Sequence, residues 1–143
     1  MATDKIRKTR RRYLNGRLIL CTEYETDTGK VLLTDFMPVG REGSHVVRLV
    51  CGLEGTVRMR LSLVVCFGDG ITVPWAEKPD SKTLVFIAGP DMLVLRSPVD
   101  LQGEDTQTTG DFTVGKDKCI SSVLSYRLSY LEHPAVLDVK WTA

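Results

Sequence analysis

The sequence predicts an all-β fold, an antiparallel sandwich of two sheets, and three observations carry that prediction. After a basic start, short apolar or alternating runs follow one another along the chain. β-Branched and aromatic residues concentrate in those runs, as a pleated, half-buried surface favours. The six prolines and twelve glycines fall mostly between runs or at their edges, where chain reversals need them. No central stretch gives three turns of helical periodicity, so an α/β fold loses its main support. A small barrel is the runner-up architecture.

The elements follow in order. Residues 1–12 read as a basic arm, with Lys5, Arg7, Lys8, Arg10, Arg11 and Arg12 set against Asp4 alone. Leu18–Glu25 and Val31–Met37 lie on either side of Asp27, Thr28 and Gly29, a hairpin in which Gly29 is expected to take the positive backbone dihedral. Val46–Cys51 and Val57–Phe67 flank "LEG". The second of these sets Val57, Met59, Leu61 and Leu63 against Arg58, Arg60 and Ser62, which predicts one buried and one wet or paired face. Gly68, Asp69 and Gly70 read as a tight turn, with Asp69 accepting local amide hydrogen bonds. Ile71–Trp75 reads as the next strand, and Pro74 marks a strand end or an edge position. Leu84–Ala88, Met92–Ser97, Thr106–Val114 and Cys119–Arg127 complete nine predicted strands. The sandwich is thereby bounded at residues 13–130. Residues 131–143 form a tail or a short helix after Pro134, with Val136, Leu137 and Lys140 sharing a side.

Composition bounds the function. With 43% hydrophobic and 26% charged residues, the chain suits one domain with a continuous core. No apolar run approaches the roughly 20 residues that cross a bilayer. The formal net charge of +1 hides a gradient, because the first twelve residues sum to +5 and the remainder to −4. An arginine cluster rather than an apolar segment follows the charged start, so a secretory signal is not predicted and a cytoplasmic location is the default. The arm invites phosphate attraction, but no groove of basic and aromatic residues follows it. It therefore reads as a solubilising tail or linker, and nucleic acid is not an expected partner. Cys21, Cys51, Cys66 and Cys119 lie in strand-like text without a CxxC pair and read as buried free thiols.

Chemical motifs are sparse. "GLEG", "GDG" and "GKDK" match neither a Walker loop nor a dinucleotide fingerprint, and no HExxH organises a metal, so no cofactor or metal is expected. The histidines, His45 and His133, sit in ordinary loop settings without a triad context. Glu23 and Glu25 share a strand side, with Asp35 across the hairpin; they read as solvated or turn-bonded carboxylates, and no catalytic residue is assigned. Arg58 and Arg60, on one strand face, are expected to form cross-strand ion pairs or to meet a carboxylate-rich partner. Trp75 and Tyr13 offer aromatic faces for an interface or a sugar ring.

Longer stretches carry a resemblance. "RRYLNGRLILCTEYETDTGKVLLTDFMPV", "HVVRLVCGLEGTVRMRLSLVVCFGDG", "VPW", "IAGPDMLVLRSPVDLQGED" and "DFTVGKDKCISSVLSY" together resemble the amino-terminal β-sandwich of bacterial and archaeal glucoamylase/trehalase-like proteins of glycoside hydrolase family 15, over roughly residues 11 to 130. The resemblance implies an extended sandwich of the supersandwich kind. In that family the hydrolytic glutamates belong to a helical toroid that this sequence does not match, so Glu23, Glu25 and Glu54 inherit no catalytic role. Relatives also carry strands ahead of the arginine cluster, which implies here an incomplete amino-terminal sheet edge that a second copy or another chain would cover. The expectation is a noncatalytic structural or interaction module, homo-oligomeric or docked to a separate protein. Asp69, Pro74 and Trp75 would form its interface or a cleft rim. The alternative is a module binding α-linked glucose oligosaccharides, with Trp75 or Tyr13 stacking on the sugar and Asp69 and arginines bonding its hydroxyls.

Overall fold

The computed structural model of the chain describes residues 1–104, 106–137 and 139. Its strands are β1 (Ile6–Tyr13), β2 (Leu20–Thr26), β3 (Gly29–Phe36), β4 (Ser44–Val64), β5 (Trp75–Asp80), β6 (Thr83–Ala88), β7 (Asp91–Arg96), β8 (Gln102–Glu104), β9 (Gln107–Gly115) and β10 (Cys119–Leu128). All of the pairings between them are antiparallel. The main path runs β1-β2-β3-β4-β10-β7-β6-β5, with β9 attached to β4 and β8 to β9. The path does not close into a barrel, since β1 and β5 end it.

β4 makes this network a sandwich. Its first part lies between β3 and β10, and from Thr56 onward it pairs with β9, so it passes from a large layer into a small one. Sequence reading expects two strands flanking "LEG"; the structure has one continuous strand that bends there. Gly55 has φ 62°, a left-handed conformation that redirects the strand without reversing it. A Cβ on Gly55 would overlap the Thr28 carbonyl. Across the same corner, the amides of Thr56 and Lys116 donate to the carbonyls of Thr28 and Gly55, so the bend leaves those groups bonded. Gly29 does not have the positive φ expected of it. It is needed instead for close approach, because a Cβ there would run into the Glu54 carbonyl.

Between the layers, Val31, Leu33 and Val50 from the large layer meet Ala2, Val57, Met59 and Val114 from the small one. A second cluster joins Val65, Phe86, Leu95, Val99 and Leu101. The outer face of the large layer is apolar too. Val47, Leu49 and Val123 pack under Leu137 and Val139 of the carboxy-terminal segment, and Val85, Met92 and Val94 form a further buried group. Burial on both faces explains why "LVFIA" and "MLVL" read as apolar runs and not as alternations.

The first twelve residues are not an arm outside the sandwich. Ile6–Tyr13 is a strand of the large layer, in register from Lys8 opposite Glu25 to Tyr13 opposite Leu20. Ala2 bridges Met59 on the small layer. An edge strand is wet on both faces (β1 is exposed from Arg7 to Tyr13), so strand pairing and a run of cations coexist, and hydrophobic patterning does not report it. The turn Asp69–Pro74 replaces most of the strand expected at Ile71–Trp75, and β5 starts at Trp75. β8 arises within the polar connection. No helix follows Pro134 among the described residues, because Leu137 is held on the sheet while Val136 faces outward. Lys140 lies outside the described residues.

The expectation of four free thiols is also corrected. Cys51 and Cys119 stand directly opposite each other on β4 and β10 and form a disulfide with Cα atoms 4.2 Å apart. Cys21 is a buried free thiol and Cys66 an exposed one. Register creates the pair, and a separation of 68 residues conceals it in the sequence.

Candidate functional site

Asp69, Pro74 and Trp75 come together on one turn that leaves the small layer after β4 and returns to the edge strand β5. Gly68, Asp69 and Gly70 have φ of 57°, 58° and 87°, three successive left-handed residues. Asp69 is one of two non-glycine residues with positive φ among those described, in keeping with the tolerance of aspartate for that region. Phe67 and Thr72 close the turn by exchanging backbone hydrogen bonds of 3.0 Å each way, and the Ile71 amide donates to the Gly68 carbonyl at 3.2 Å. The tip is therefore built and held by its backbone.

Beside the exposed Asp69 and Thr72, this turn and the start of β5 present outward apolar side chains: Ile71 is 85% exposed, Val73 63% and Trp75 71%. Pro74 is half-buried and lines, with Val73, a small concavity of about 100 Å³ over Leu63, Val65 and Phe86. Ile71 and Val73 are the residues sequence reasoning missed. Their signal, two β-branched apolars directly after a glycine turn, was visible in "GDGITVPW", but placing them in a strand implied half-burial.

Arg58 and Arg60 are exposed and pair with the molecule's own carboxylates. Asp4 is buried and accepts from the Arg58 backbone amide at 2.9 Å, the Arg58 Nε at 2.8 Å and the Thr28 hydroxyl at 2.8 Å. These contacts, led by the backbone amide and then the Thr28 hydroxyl, hold the Asp4 carboxyl below its ordinary pKa. Arg60 grips Asp111 with two bonds of 2.7 and 2.8 Å, and that guanidinium is the main cause of the lowered Asp111 pKa. Both arginines border a concavity of about 580 Å³ with Thr3, Met59 and Phe112.

Tyr13, 66% exposed, ends β1. It is on the opposite edge of the large layer from Trp75, which begins β5. Eight strands spaced about 4.8 Å apart separate those edges by roughly 30 Å along the sheet, so the two rings do not form one stacking platform.

Buried histidine chemistry is structural. His45 Nε2–H donates to the Glu42 carbonyl at 2.9 Å, which leaves Nδ1 to accept the Ser125 hydroxyl at 2.8 Å. Both residues are buried and, among the described residues, no carboxylate bonds the imidazole, so this serine–histidine pair is a lock between β4 and β10. Among the described residues, no group of three or more His, Cys, Asp or Glu is arranged to hold a metal ion. Among the described residues, no helix is long and apolar enough to cross a membrane.

A concavity of about 720 Å³ lies on the outer face of the large layer, bordered by Lys82, Arg96, Ser97, Ser121, His133 and Leu137 among others. Neither tyrosine nor tryptophan lines it.

The fold and surface together define a two-layer β-sandwich with an outward apolar turn at one sheet edge. No family model and no curated protein matches the chain.

Proposed function

We propose that the protein is a noncatalytic interaction module that docks through the turn Val64–Trp75. One observation carries the reading: Ile71, Val73 and Trp75 are all more than half exposed on and directly after a turn closed by backbone bonds between Phe67 and Thr72. Exposed apolar side chains on a preformed surface gain free energy by leaving water and lose little entropy on ordering. Aromatic anchors of this kind dominate interface energetics. The adjoining strand β5 is an open sheet edge, which adds backbone donors and acceptors to the same surface. The resemblance to the accessory sandwich of family 15 glycoside hydrolases supports the reading, because such a sandwich has a neighbouring body to pack against. The partner is a second copy of this chain or a separate protein.

Light scattering across a concentration series tests it, with Trp75→Ala beside the unaltered protein and with candidate α-glucosidase chains added. Association weakened by Trp75→Ala is the expected result. A monomer at all concentrations that ignores every added protein would sink the proposal. Calorimetric titration with maltooligosaccharides addresses the carbohydrate-binding alternative, which requires saturable heat abolished by the same substitution.

A further inference from the structure

We infer that β1 is a docking edge for an extended acidic peptide, which adds a strand beside it. The argument begins with its place in the fold. β1 ends the strand order of the large layer, so one side of its backbone has no strand beside it among the described residues. Apart from one irregularity between Ile6 and Lys8, its register with β2 is continuous to Tyr13, so the open side is a regular row of donors and acceptors. Such a row is a template for another strand.

Side chains select what pairs there. β1 contains Arg7, Lys8, Arg10, Arg11 and Arg12 and no carboxylate. Arg7 pairs with Asp27; the other four enter no ion pair among the described residues. Lys8 and Arg10 stand across from Glu25 and Glu23 without forming an ion pair, and Arg11 and Arg12 stand across from Thr22 and Cys21. Four cations within five residues therefore repel one another, a repulsion that arriving carboxylates relieve. Register places Lys8, Arg10 and Arg12 opposite Glu25, Glu23 and Cys21, hence on one face of the sheet. There Arg10, Arg11 and Arg12 rim a concavity of about 520 Å³ that also contains Cys21, Glu23 and Leu32. A strand laid along β1 with acidic residues at alternate positions sets its carboxylates on the Arg10 and Arg12 face and its backbone on the open edge.

Nucleic acid fits less well. It has no backbone amides to pair with the open edge, and Tyr13 is the one aromatic residue of β1, where single strands are held by successive stacking platforms. The surface is distinct from the Val64–Trp75 turn, which belongs to the opposite sheet edge, so the two proposals fail independently.

Fluorescence anisotropy tests the inference with three labelled probes: a short peptide alternating glutamate and threonine, the same peptide N-methylated at alternate amides, and a single-stranded oligonucleotide. The expected result is saturable binding of the first probe that weakens with salt. N-methylation, which removes strand pairing, and the double substitution Arg10→Glu with Arg12→Glu should each weaken it about tenfold or more. Amide resonances of β1 should shift on binding. Far-ultraviolet circular dichroism verifies that the variant is folded, and Arg11→Gln provides a milder second variant with a smaller loss. Equal binding of the N-methylated peptide, tighter binding of the oligonucleotide, insensitivity to both variants, or no binding at low ionic strength would each overturn it.

Discussion

Removing the Cys51–Cys119 cross-link should cost about 4 kcal/mol of stability. The bond joins residues 68 positions apart, and closing a loop of that length removes roughly 15 cal/mol/K of chain entropy from the unfolded state, or about 4 kcal/mol at 25 °C. Packing adds little, because Cys51 is half-buried and Cys119 exposed. The double substitution Cys51→Ala, Cys119→Ala therefore isolates the constraint. With a urea slope of about 2 kcal/mol per molar, the midpoint should fall by about 2 M, followed by far-ultraviolet circular dichroism. Thiol titration provides an independent check. Cys66 alone should react in the native protein, and Cys66 with Cys21 after unfolding without reductant. An unchanged midpoint, or four reactive thiols on unfolding, would refute the reasoning.

Met59→Ala should destabilise by about 2–5 kcal/mol, because Met59 is 1% exposed where both layers meet; urea titration measures it, and a loss below about 1 kcal/mol would contradict the core described above. Gly55→Val should unfold or severely destabilise the protein, since β-branching opposes a φ of 62° and the Thr28 carbonyl occupies the space; hydrogen exchange across β3 and β4 reads the damage. Trp75→Ala should leave the urea midpoint nearly unchanged, as expected of a side chain 71% exposed, while weakening association. Asp4 and Asp111 both have carboxyls held below their ordinary value of 3.8. A lowered folded pKa contributes stability above the unfolded value and loses it as pH falls through the folded one, so the protein should weaken below about pH 4. Asp4→Asn should flatten that acid dependence, and an unaltered acid limb would show that Asp4 does not carry it.

How much was legible follows from what each signal reports. "KVLLTDF" and "TLVFIAG" read as strands because burial selects side chains locally, and the structure places β3 and β6 there. "IRKTRRRY" did not, because an edge strand wet on both faces has no apolar pattern to read. Ile71 and Val73 were misread for the opposite reason: apolar residues usually mean burial, and here the turn holds them outside. Asp69, Pro74 and Trp75 are close in the chain, so their shared surface was accessible to sequence reasoning. The pairing of Arg58 was foreseeable as an ion pair, but its partner Asp4 lies 54 residues away.

By itself, then, the sequence determined an all-β chain and most of its strands, since backbone propensity and burial act on neighbouring residues. Tertiary structure alone decided that β4 serves two layers, that Cys51 meets Cys119, that the basic start is an edge strand, and that Tyr13 and Trp75 stand at opposite ends of the sheet. Those are facts of register and strand order, set by the joint packing of distant segments, and no local pattern encodes them.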